Sequence, residues 1–275
     1  MASVYNVSFP GLGLEFKVSP VAFTIGSYSV YWYGIIIAAG FALATLYCMR
    51  TAKKRGVDPD KTLNCIIVGL ITAVIGARLY YVAFSWGKFS GDLGSIFNIH
   101  EGGLAIYGGI IGGLAGGIIA AKVQKMKLLE LLDIIMTGFL IGQGIGRWGN
   151  FVNQEAFGTP TDLPWRMASE ATGGVGVHPC FLYESLWCLL GFALIHFVFS
   201  GRKKYDGQLL YTYLVWYGFE RMIVEGLRTD SLYLPFADIR VSQLLSALAA
   251  AAGAVLLVVF AVRSKKSAGS VAAEE

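Results

Sequence analysis

Seven long apolar stretches are the feature that most restricts how this chain can fold. They span residues 28–49, 62–84, 103–121, 128–146, 179–199, 208–227 and 243–262. A helix needs about 20 consecutive apolar residues to cross the hydrocarbon core of a bilayer. Only 15% of the residues are charged, whereas soluble domains carry about 25%. The sequence therefore predicts an all-α integral membrane protein with seven transmembrane helices.

The orientation of these helices can be read from the basic clusters. Lys and Arg concentrate after alternate spans, at residues 50–55, 122–127, 201–204 and 263–266. Segments rich in Lys and Arg stay on the cytoplasmic side of a membrane. An odd number of spans then predicts that the N-terminus lies outside and that the C-terminus is cytoplasmic.

Three segments can be distinguished along the chain. Residues 1–27 are predicted to form an arm at the membrane interface, because their apolar side chains alternate and the segment lacks the features of a signal peptide. Residues 28–262 form the transmembrane domain, with small outer loops of which one covers 147–178. Residues 263–275 are expected to be a disordered cytoplasmic tail. The four cysteines lack the spacing of a disulfide framework or a zinc site, so no metal site is predicted.

Arginine is concentrated in the outer half of the predicted bundle. Once the cytoplasmic clusters and Lys61 are set aside, eight of the 22 Lys and Arg residues remain. They are Lys17, Arg78, Lys88, Arg147, Arg166, Arg221, Arg228 and Arg240. Arginine binds carboxylates and phosphates with two parallel donors and keeps its charge when partly buried. This distribution predicts an anion site toward the outer side.

The end of the sixth span carries charges on one helical face. Tyr217, Arg221, Glu225 and Arg228 follow each other at spacings of four, four and three residues. Ionisable groups at this depth usually face the bundle interior or a polar cavity. Either Arg221 and Glu225 form an ion pair between helices, or Glu225 orients the two arginines toward an anionic ligand. The two interpretations are compatible.

The polar segment "GRWGNFVNQEAFG" (146–158) follows the fourth apolar stretch. It places Arg147 at the outer end of that span, with Asn150, Asn153 and Glu155 shortly after it. Gly144, Gly146 and Gly149 match the G-x-G-x-x-G fingerprint of dinucleotide-binding proteins, but no strand–turn–helix unit surrounds them. We therefore expect the glycines to serve close helix packing or approach to a lipid headgroup.

A second polar segment, "HPCFLYE" (178–184), opens the fifth span. It places Glu184 inside the membrane, six residues after His178. These two residues either tie the outer loop to the bundle or contribute to the anion site. In the third span, small residues recur every four positions, which predicts close helix packing, and Tyr107 places a phenol near its outer end.

Together these motifs resemble those of prolipoprotein diacylglyceryl transferases. The segment 146–158 matches the pattern GRxGNFxNxExxG at every fixed position, and "YWYG" (31–34), "GARL" (76–79), "HPCFLYE" and "RMIVEGLR" (221–228) follow the family in the same order. The resemblance implies an enzyme of the bacterial cytoplasmic membrane whose active site faces the outer leaflet. Such an enzyme transfers the diacylglyceryl group of phosphatidylglycerol to the lipobox cysteine of a prolipoprotein signal peptide and releases glycerol 1-phosphate. The implied partners are this lipid, this peptide and the bilayer, with no cofactor and no nucleic acid.

The resemblance also assigns roles to individual residues. Arg147 and Arg221 are implied to be catalytic. Tyr107 occupies the position of a histidine that has been proposed as the base, and we predict that it is catalytic through a hydrogen bond to the substrate or as a proton relay. By the resemblance, Arg147 contacts phosphatidylglycerol, and Tyr33, Asn150 and Gly158 match essential residues of the family. The other residues predicted to bind the substrate are Arg78, Asn153, Glu155, His178, Glu184, Glu225 and Arg228. Because Tyr107 replaces the histidine, an imidazole base is absent at this position. A transporter or flippase with an outward anion site is the alternative, and it predicts an internal hydropathy repeat, which the sequence lacks.

Overall fold

The computed structural model describes residues 4–98, 102–234 and 237–271. In this part of the chain, the α-helices are α1 (Trp32–Lys54), α2 (Pro59–Phe84), α3 (Ile106–Val123), α4 (Leu128–Asn153), α5 (Cys180–Ala193), α6 (Gln208–Leu227) and α7 (Val241–Val271). Helix α5 continues as a π-helical segment, Leu194–Phe199. The strands are β1 (Tyr5–Phe9), β2 (Leu14–Val18), β3 (Val21–Ile25), β4 (Tyr28–Tyr31), β5 (Tyr233–Leu234) and β6 (Ala237–Arg240). They pair as three antiparallel hairpins, β1–β2, β3–β4 and β5–β6.

Six helices of the described residues are long and apolar enough to cross a membrane. They are Trp32–Lys54, Pro59–Phe84, Ile106–Val123, Leu128–Asn153, Cys180–Arg202 and Val241–Ser264. The protein is therefore an integral membrane protein with mostly helical structure. Helix α6 has 20 residues but carries Glu220, Arg221 and Glu225, so its apolar content is lower. Its crossing of the membrane, and with it the count of seven, stays a prediction.

The N-terminal arm folds into two hairpins, and the second one shortens the predicted first span. Residues 28–31 pair with β3 instead of starting a helix. Gly26 supplies the left-handed backbone (φ 61°) between the two strands. The backbone N–H of Trp32 then donates to the carbonyl of Pro20 at 2.9 Å, and α1 begins there. Residues 28–31 and the start of α1 are similarly apolar, so hydropathy alone did not distinguish the strand from the helix.

Helix α4 extends well beyond its predicted end at residue 146. It continues to Asn153 and ends where Gln154 adopts a left-handed conformation (φ 53°). The expected outer loop at 147–178 therefore starts seven residues later than predicted. The segment contains no proline, and its glycines lie against neighbouring side chains, so nothing interrupts the helix. Arg147 and Asn150 consequently lie on one helical face, three residues apart.

The C-terminal tail also differs from the expectation of disorder from residue 263. Helix α7 continues to Val271, and residues 272–275 lie outside the described part. The segment lacks proline and extends a helix that is already formed, so each further residue adds a hydrogen bond without a new nucleation step.

The chain separates into two compact units, where the sequence predicted one helical domain. Thr45–Ile134 form one unit, and the residues up to Ala44 together with those from Ile135 form the other. In the first, α2 and α3 pack through small residues, as predicted. A Cβ added at Gly112 would collide with the carbonyl of Thr72, and one added at Gly108 would collide with that of Gly76.

The second unit contains α5, α6, α7, the part of α1 up to Ala44, the part of α4 from Ile135, and the N-terminal hairpins. Helices α5 and α6 meet where the Trp187 and Trp216 rings stack with centroids 4.4 Å apart. Each of these indoles donates to the backbone carbonyl of the other, at 2.9 and 3.0 Å. On the other side of α6, a Cβ at Gly218 would lie 2.7 Å from the carbonyl of Ser246 in α7. This packing fixes the polar face of α6 toward α4 and α5.

Candidate active site

A buried carboxylate lies at the centre of the polar cluster. Glu184, in the first turns of α5, is only 1% exposed. Its Oε2 forms an ion pair with Arg147 Nη2 of α4 at 2.6 Å and accepts a hydrogen bond from Arg221 Nη1 of α6 at 2.9 Å. Arg228, just after the end of α6, places Nη1 3.6 Å from Oε1. An isolated charge would be very costly to bury at this position. The positive charges of the three arginines therefore make the burial of the Glu184 carboxylate possible.

Two further acids hold the arginines of α6. Arg221 donates to Glu225 Oε2, one turn away on the same helix, and Glu225 is 2% exposed. Arg228 makes a two-pronged contact with Asp230, from Nε to Oδ1 at 2.9 Å and from Nη2 to Oδ2 at 2.7 Å. These hydrogen bonds from Arg228 lower the pKa of Asp230 below its usual value.

The three arginines differ in how many donors they have left. Arg221 uses both of its Nη atoms on Glu184 and Glu225, and Arg228 is engaged with Asp230 and Glu184. Within the described residues, the polar contact that the structure records for Arg147 is its ion pair with Glu184, made through Nη2. Its Nη1 and Nε therefore remain as donors for a ligand. Of these three arginines, Arg147 is the one whose geometry fits direct contact with an anion.

Arg147 borders a cavity of about 300 Å³ between α1 and α4. The cavity has a polar end, formed by Tyr33, Gln143, Arg147 and Asn150, and an apolar side, formed by Ile37, Phe41, Ala44 and Phe139. Tyr33, Ile37, Phe41 and Ala44 recur at helical spacing on one face of α1. A cavity with a cationic end and an apolar wall has the amphipathic character of a phospholipid.

The glycines of the signature segment, residues 146–158, shape this cavity. A Cβ at Gly149 would lie 2.7 Å from the ring of Tyr33, and one at Gly146 would lie 3.2 Å from Ile37 Cδ1. The absence of side chains at these positions allows α1 to pack closely against α4 beside Arg147. This is the packing role that the sequence predicted for these glycines.

The remaining polar residues of the segment form a second, smaller group. Glu155 Oε1 accepts from Asn150 Nδ2 at 2.9 Å and from Asn153 Nδ2 at 3.4 Å. The backbone N–H of Glu155 also donates to the carbonyl of Asn150 at 3.1 Å. Glu155 is exposed and orients Asn150, whose side chain lines the cavity.

Gly158 marks the point where the outer loop returns to the helices. Its N–H donates to the carbonyl of His178 at 2.9 Å, and the next residue, Thr159, donates to the carbonyl of Leu227 at 2.8 Å. A Cβ at Gly158 would lie 2.7 Å from His178 Cβ and 2.9 Å from Cys180 Sγ. The close approach explains glycine here, and Gly158 thereby joins the loop to the ends of both α5 and α6.

Three other predicted site residues, His178, Tyr107 and Arg78, have contacts or positions of their own. The ring of His178 contacts Tyr183 Oη at 3.2 Å, and Trp165 Nε1 donates to the same oxygen at 2.8 Å. This contact favours the interpretation in which His178 ties the outer loop to α5. Tyr107 and Arg78 belong to the other compact unit, where Tyr107 lies in the first turn of α3, half-buried.

Arg78 is surrounded by backbone carbonyls. Its guanidinium donates to the carbonyls of Ser95, Ile96, Asn98, Gly102 and Gly103, at 2.7 to 3.0 Å. These contacts engage Nε and both Nη atoms. The hydrogen bonds of Arg78 therefore stabilise the described part of the loop between α2 and α3. They leave no guanidinium nitrogen of Arg78 unengaged for a lipid phosphate.

The model of the prolipoprotein diacylglyceryl transferase family matches residues 20–259 of this chain. This chain belongs to that family. A Finegoldia magna protein named phosphatidylglycerol–prolipoprotein diacylglyceryl transferase is 45% identical over 247 residues, covering 90% of this chain and 98% of that protein. Proteins of the same name from Clostridioides difficile and Listeria welshimeri are each 41% identical over 247 residues. These alignments cover 90% and 86% of this chain, and 97% and 88% of the two relatives. As a member of a transferase family, the chain is an enzyme.

Two residues of the cluster were missed by the sequence interpretation. Asp230 follows Arg228 by two residues, and an acid so close to a predicted anion-binding arginine was a signal for a competing ion pair. Glu220 precedes Arg221 and is 5% exposed. Within the described residues, neither of its carboxyl oxygens has a hydrogen-bond partner. A second acid in an apolar span was a signal in itself, because ionisable groups in membrane helices are usually functional.

Proposed function

We propose that this enzyme transfers the diacylglyceryl group of phosphatidylglycerol to the lipobox cysteine of a prolipoprotein signal peptide. Glycerol 1-phosphate is the second product, and the reaction is the first step of lipoprotein maturation in the bacterial cytoplasmic membrane. The observation that carries the proposal is the position of Arg147, which has free donors at the polar end of a cavity with an apolar wall.

In this proposal the phosphate of the lipid lies at Arg147 and one acyl chain follows the apolar wall. Tyr33 and Asn150 border the same polar end and contact the glyceryl or headgroup hydroxyls. Glu155 orients the side chain of Asn150. Asn153, which also donates to Glu155, and Gly158, which allows the loop to approach α5, set the conformation of the segment that carries Asn150. Arg147 donates to the phosphate with Nη1 and Nε while Nη2 stays on Glu184.

The arginines of α6 act through the carboxylates that they bind. Arg221 forms ion pairs with Glu184 and Glu225, and Arg228, just after the C-terminal end of α6, forms a third one with Glu184. Together they hold Arg147 in one orientation, because Glu184 cannot move without breaking contacts to all three. Arg221 is therefore a positioning residue in this proposal, and it contributes positive potential to the site without direct contact with the phosphate.

The reaction is a displacement at C3 of the glyceryl group by the thiolate of the incoming peptide. A thiol with a pKa near 8.5 is already a few per cent ionised at pH 7. Complete ionisation would gain about 30-fold, or roughly 2 kcal/mol. Removal of an electrostatic donor from a developing charge costs about 2.7–4 kcal/mol. The grip of Arg147 on the leaving phosphate is therefore more important than a strong base, which is consistent with Tyr107 at the histidine position.

The proposed topology has seven spans, with α6 as the sixth and the active site toward the outer leaflet. The basic clusters that follow alternate spans support this orientation. The signature segment then faces the side on which secreted prolipoproteins present their lipobox. Arg221 of α6 pairs with Glu184 of α5 and with Glu225 of its own helix, and ionisable groups of a membrane-spanning helix are tolerated where they pair inside the bundle.

The test is a direct assay of the product. Purified protein in nanodiscs that contain phosphatidylglycerol is incubated with a lipobox peptide, and the peptide is weighed by mass spectrometry. We expect a gain of one diacylglyceryl group on the cysteine. The matched controls are a peptide with serine in place of that cysteine and nanodiscs of phosphatidylcholine alone, and neither should give the product.

An unmodified peptide in the presence of folded protein and phosphatidylglycerol would contradict the proposal. Movement of labelled phosphatidylglycerol between leaflets without peptide modification would instead favour the flippase. The two outcomes are separated because only the transferase makes a thioether that survives alkaline hydrolysis of the lipid esters.

A further inference from the structure

The cavity between α1 and α4 contains one polar side chain to which the proposed function gives no role. Gln143 of α4 lines the cavity together with Tyr33, Arg147 and Asn150, and it is half-buried. It lies one helical turn from Arg147, next to the apolar wall. A primary amide in such a place is costly unless its donors and its acceptor find partners. We therefore asked which partners Gln143 has and which it lacks.

The oxygen of this amide is already engaged. Tyr213 of α6, which is buried, donates its hydroxyl to Gln143 Oε1 at 3.3 Å. The ring of Tyr213 is held by stacking on Tyr217, with centroids 5.6 Å apart, and by an edge contact with Phe139. Among the described residues, this is the hydrogen bond that the structure records for the Gln143 side chain. Because it uses Oε1, the two N–H donors of Nε2 remain for a ligand.

The residues that line the cavity follow a fixed order along α4. Asn150, Arg147, Gln143 and Phe139 are three, four and four residues apart, so they share one face of the helix. All four line the cavity. From its polar end inward, the face thus presents an amide, a cation, a second amide and an aromatic ring. A phospholipid has its parts in the same order, namely headgroup, phosphate, ester and hydrocarbon.

Helix α1 forms the opposite wall and runs antiparallel to α4. A Cβ at Gly149 would lie 2.7 Å from the ring of Tyr33, whereas one at Gly142 would lie 3.8 Å from Ala44 Cβ. The side chains that α1 presents to the cavity between these two positions are apolar. At the border between phosphate and hydrocarbon, the hydrogen-bond donor of the cavity is therefore supplied by Gln143.

The distance between Arg147 and Gln143 suits the distance between a phosphate and an ester of one lipid. Four residues of α-helix advance about 6 Å, and a few single bonds of similar total length join the phosphorus of a phospholipid to the carbonyl of its C2 ester. The C1 ester is one carbon further away. An ester carbonyl accepts hydrogen bonds and donates none, so it complements Nε2 of Gln143.

We propose that Gln143 binds the carbonyl of the C2 ester of the lipid through Nε2 and makes the enzyme selective for lipids that are acylated at C2. This inference rests on the proposed function, since it takes the phosphate to lie at Arg147. C3 of the glyceryl group is then located between the contact with Arg147 and the contact with Gln143. Two contacts on either side of C3 restrict its rotation and hold it in position for the incoming thiolate.

The test removes the carbonyl from the lipid. Two forms of phosphatidylglycerol are compared in nanodiscs of phosphatidylcholine, one with an ether at C2 and an ester at C1, the other with the ether at C1 and the ester at C2. The rate of peptide modification is measured by mass spectrometry. We expect the wild-type kcat/KM to be about 3- to 10-fold lower for the C2 ether than for the C1 ether, which is the effect of one uncharged hydrogen bond.

A variant without the donor shows whether Gln143 causes this preference. Gln143→Met keeps the length of the side chain but has no N–H group, and we expect it to use the two ether lipids equally well. Phe139→Leu is the matched control, because it changes the apolar wall one turn away without removing a donor. It should keep the wild-type ratio between the two lipids. A purely structural role of Gln143 would lower both rates and leave this ratio unchanged.

The proposal is overturned by a wild-type enzyme that uses the two lipids equally well or that prefers the ester at C1. A folded Gln143→Met enzyme that keeps the wild-type ratio overturns it as well, and so does loss of the ratio in Phe139→Leu. If Gln143→Met does not fold, Tyr213→Phe is added to it, so that no buried hydroxyl loses its acceptor. The same equal use of the two lipids is then expected, and a retained ratio refutes the role of Gln143.

The inference can fail separately from the proposed function. A wild-type protein that modifies no peptide with ordinary phosphatidylglycerol contradicts the transferase function itself. A wild-type enzyme that modifies the peptide, but equally well from both ether lipids, contradicts only the role of Gln143.

Discussion

Replacing Arg147 by lysine tests the central claim about the site. Arg147 has two simultaneous tasks, since Nη2 binds Glu184 at 2.6 Å while Nη1 and Nε are left for the phosphate at the end of the cavity. Lysine keeps the charge, but its single ammonium group lacks the planar fork of arginine. It can approach either Glu184 or the phosphate with good geometry, and not both.

The expected loss follows from the number of bonds that lysine cannot make. A hydrogen bond to a charged group contributes about 1.5–3 kcal/mol, and a donor directed at a charge that develops in the transition state contributes about 2.7–4 kcal/mol. We therefore expect Arg147→Lys to lower kcat/KM by about 100- to 1,000-fold. Its thermal unfolding should stay close to that of the wild type, because lysine still offers a cation to Glu184.

The assay is the modification of a lipobox peptide in nanodiscs, with initial rates measured over a range of phosphatidylglycerol content. Arg166→Lys is the matched control. Arg166 lies in the outer loop, and its Nη1 donates only to the backbone carbonyls of Asp162 and Leu163 among the described residues, at 3.2 and 3.3 Å. An Arg147→Lys enzyme that retains more than a third of the wild-type kcat/KM would refute the two-pronged grip. Equal losses in both variants would indicate a general effect on folding.

Four other changes have defined outcomes. Tyr107→Phe should slow turnover by about one to two orders of magnitude without abolishing it, and complete loss in a folded variant would assign Tyr107 an essential role. Gly158→Ala should lower the free energy of unfolding by about 1–3 kcal/mol, because its Cβ would lie 2.7 Å from His178 Cβ; an unchanged melting temperature would contradict the close approach. Replacement of all four cysteines should leave substantial activity, since the peptide brings its own thiol, and a folded but inactive variant would indicate an enzyme-bound intermediate. The lowered pKa of Asp230 stabilises the fold above the ordinary carboxyl pKa, near 3.9, and this contribution is lost as the pH falls through the folded-state value. Asp230→Asn should therefore flatten the acid side of the stability profile, and an unchanged profile would show that the pair with Arg228 contributes nothing.

Membrane character and helix positions followed from the sequence with few errors. The α6 bounds, 208–227, agree with the structure, and the glycine face of α3 packs as its spacing predicted. Both depend on local patterns, namely apolar length and the recurrence of small residues every four positions. The errors occurred at the ends, where an apolar strand at 28–31 resembled the start of a helix and polar residues after 146 resembled a loop.

The candidate site was only partly predictable. The sequence identified Arg147, Arg221, Glu184 and Glu225 as members of one region, because each is an ionisable residue in or beside an apolar span. It gave no reason to separate Arg147, which keeps free donors, from Arg221, which two carboxylates occupy. It also included Arg78, whose donors are all directed at backbone carbonyls.

The sequence by itself determined that this chain is a membrane protein, since apolar length is a property of the chain that needs no partner. That its arginines collect toward one side stays a prediction from the charge distribution. Which arginine remains available to a ligand was decided only by the tertiary structure. Glu184, Arg147 and Arg221 belong to three different helices, and the donors that remain depend on which oxygen each guanidinium reaches. The same is true of Glu220, whose lack of a partner is a fact of packing among α4, α5 and α6. Hydrogen bonds are short and directional, so their assignment requires the positions of all three helices at once.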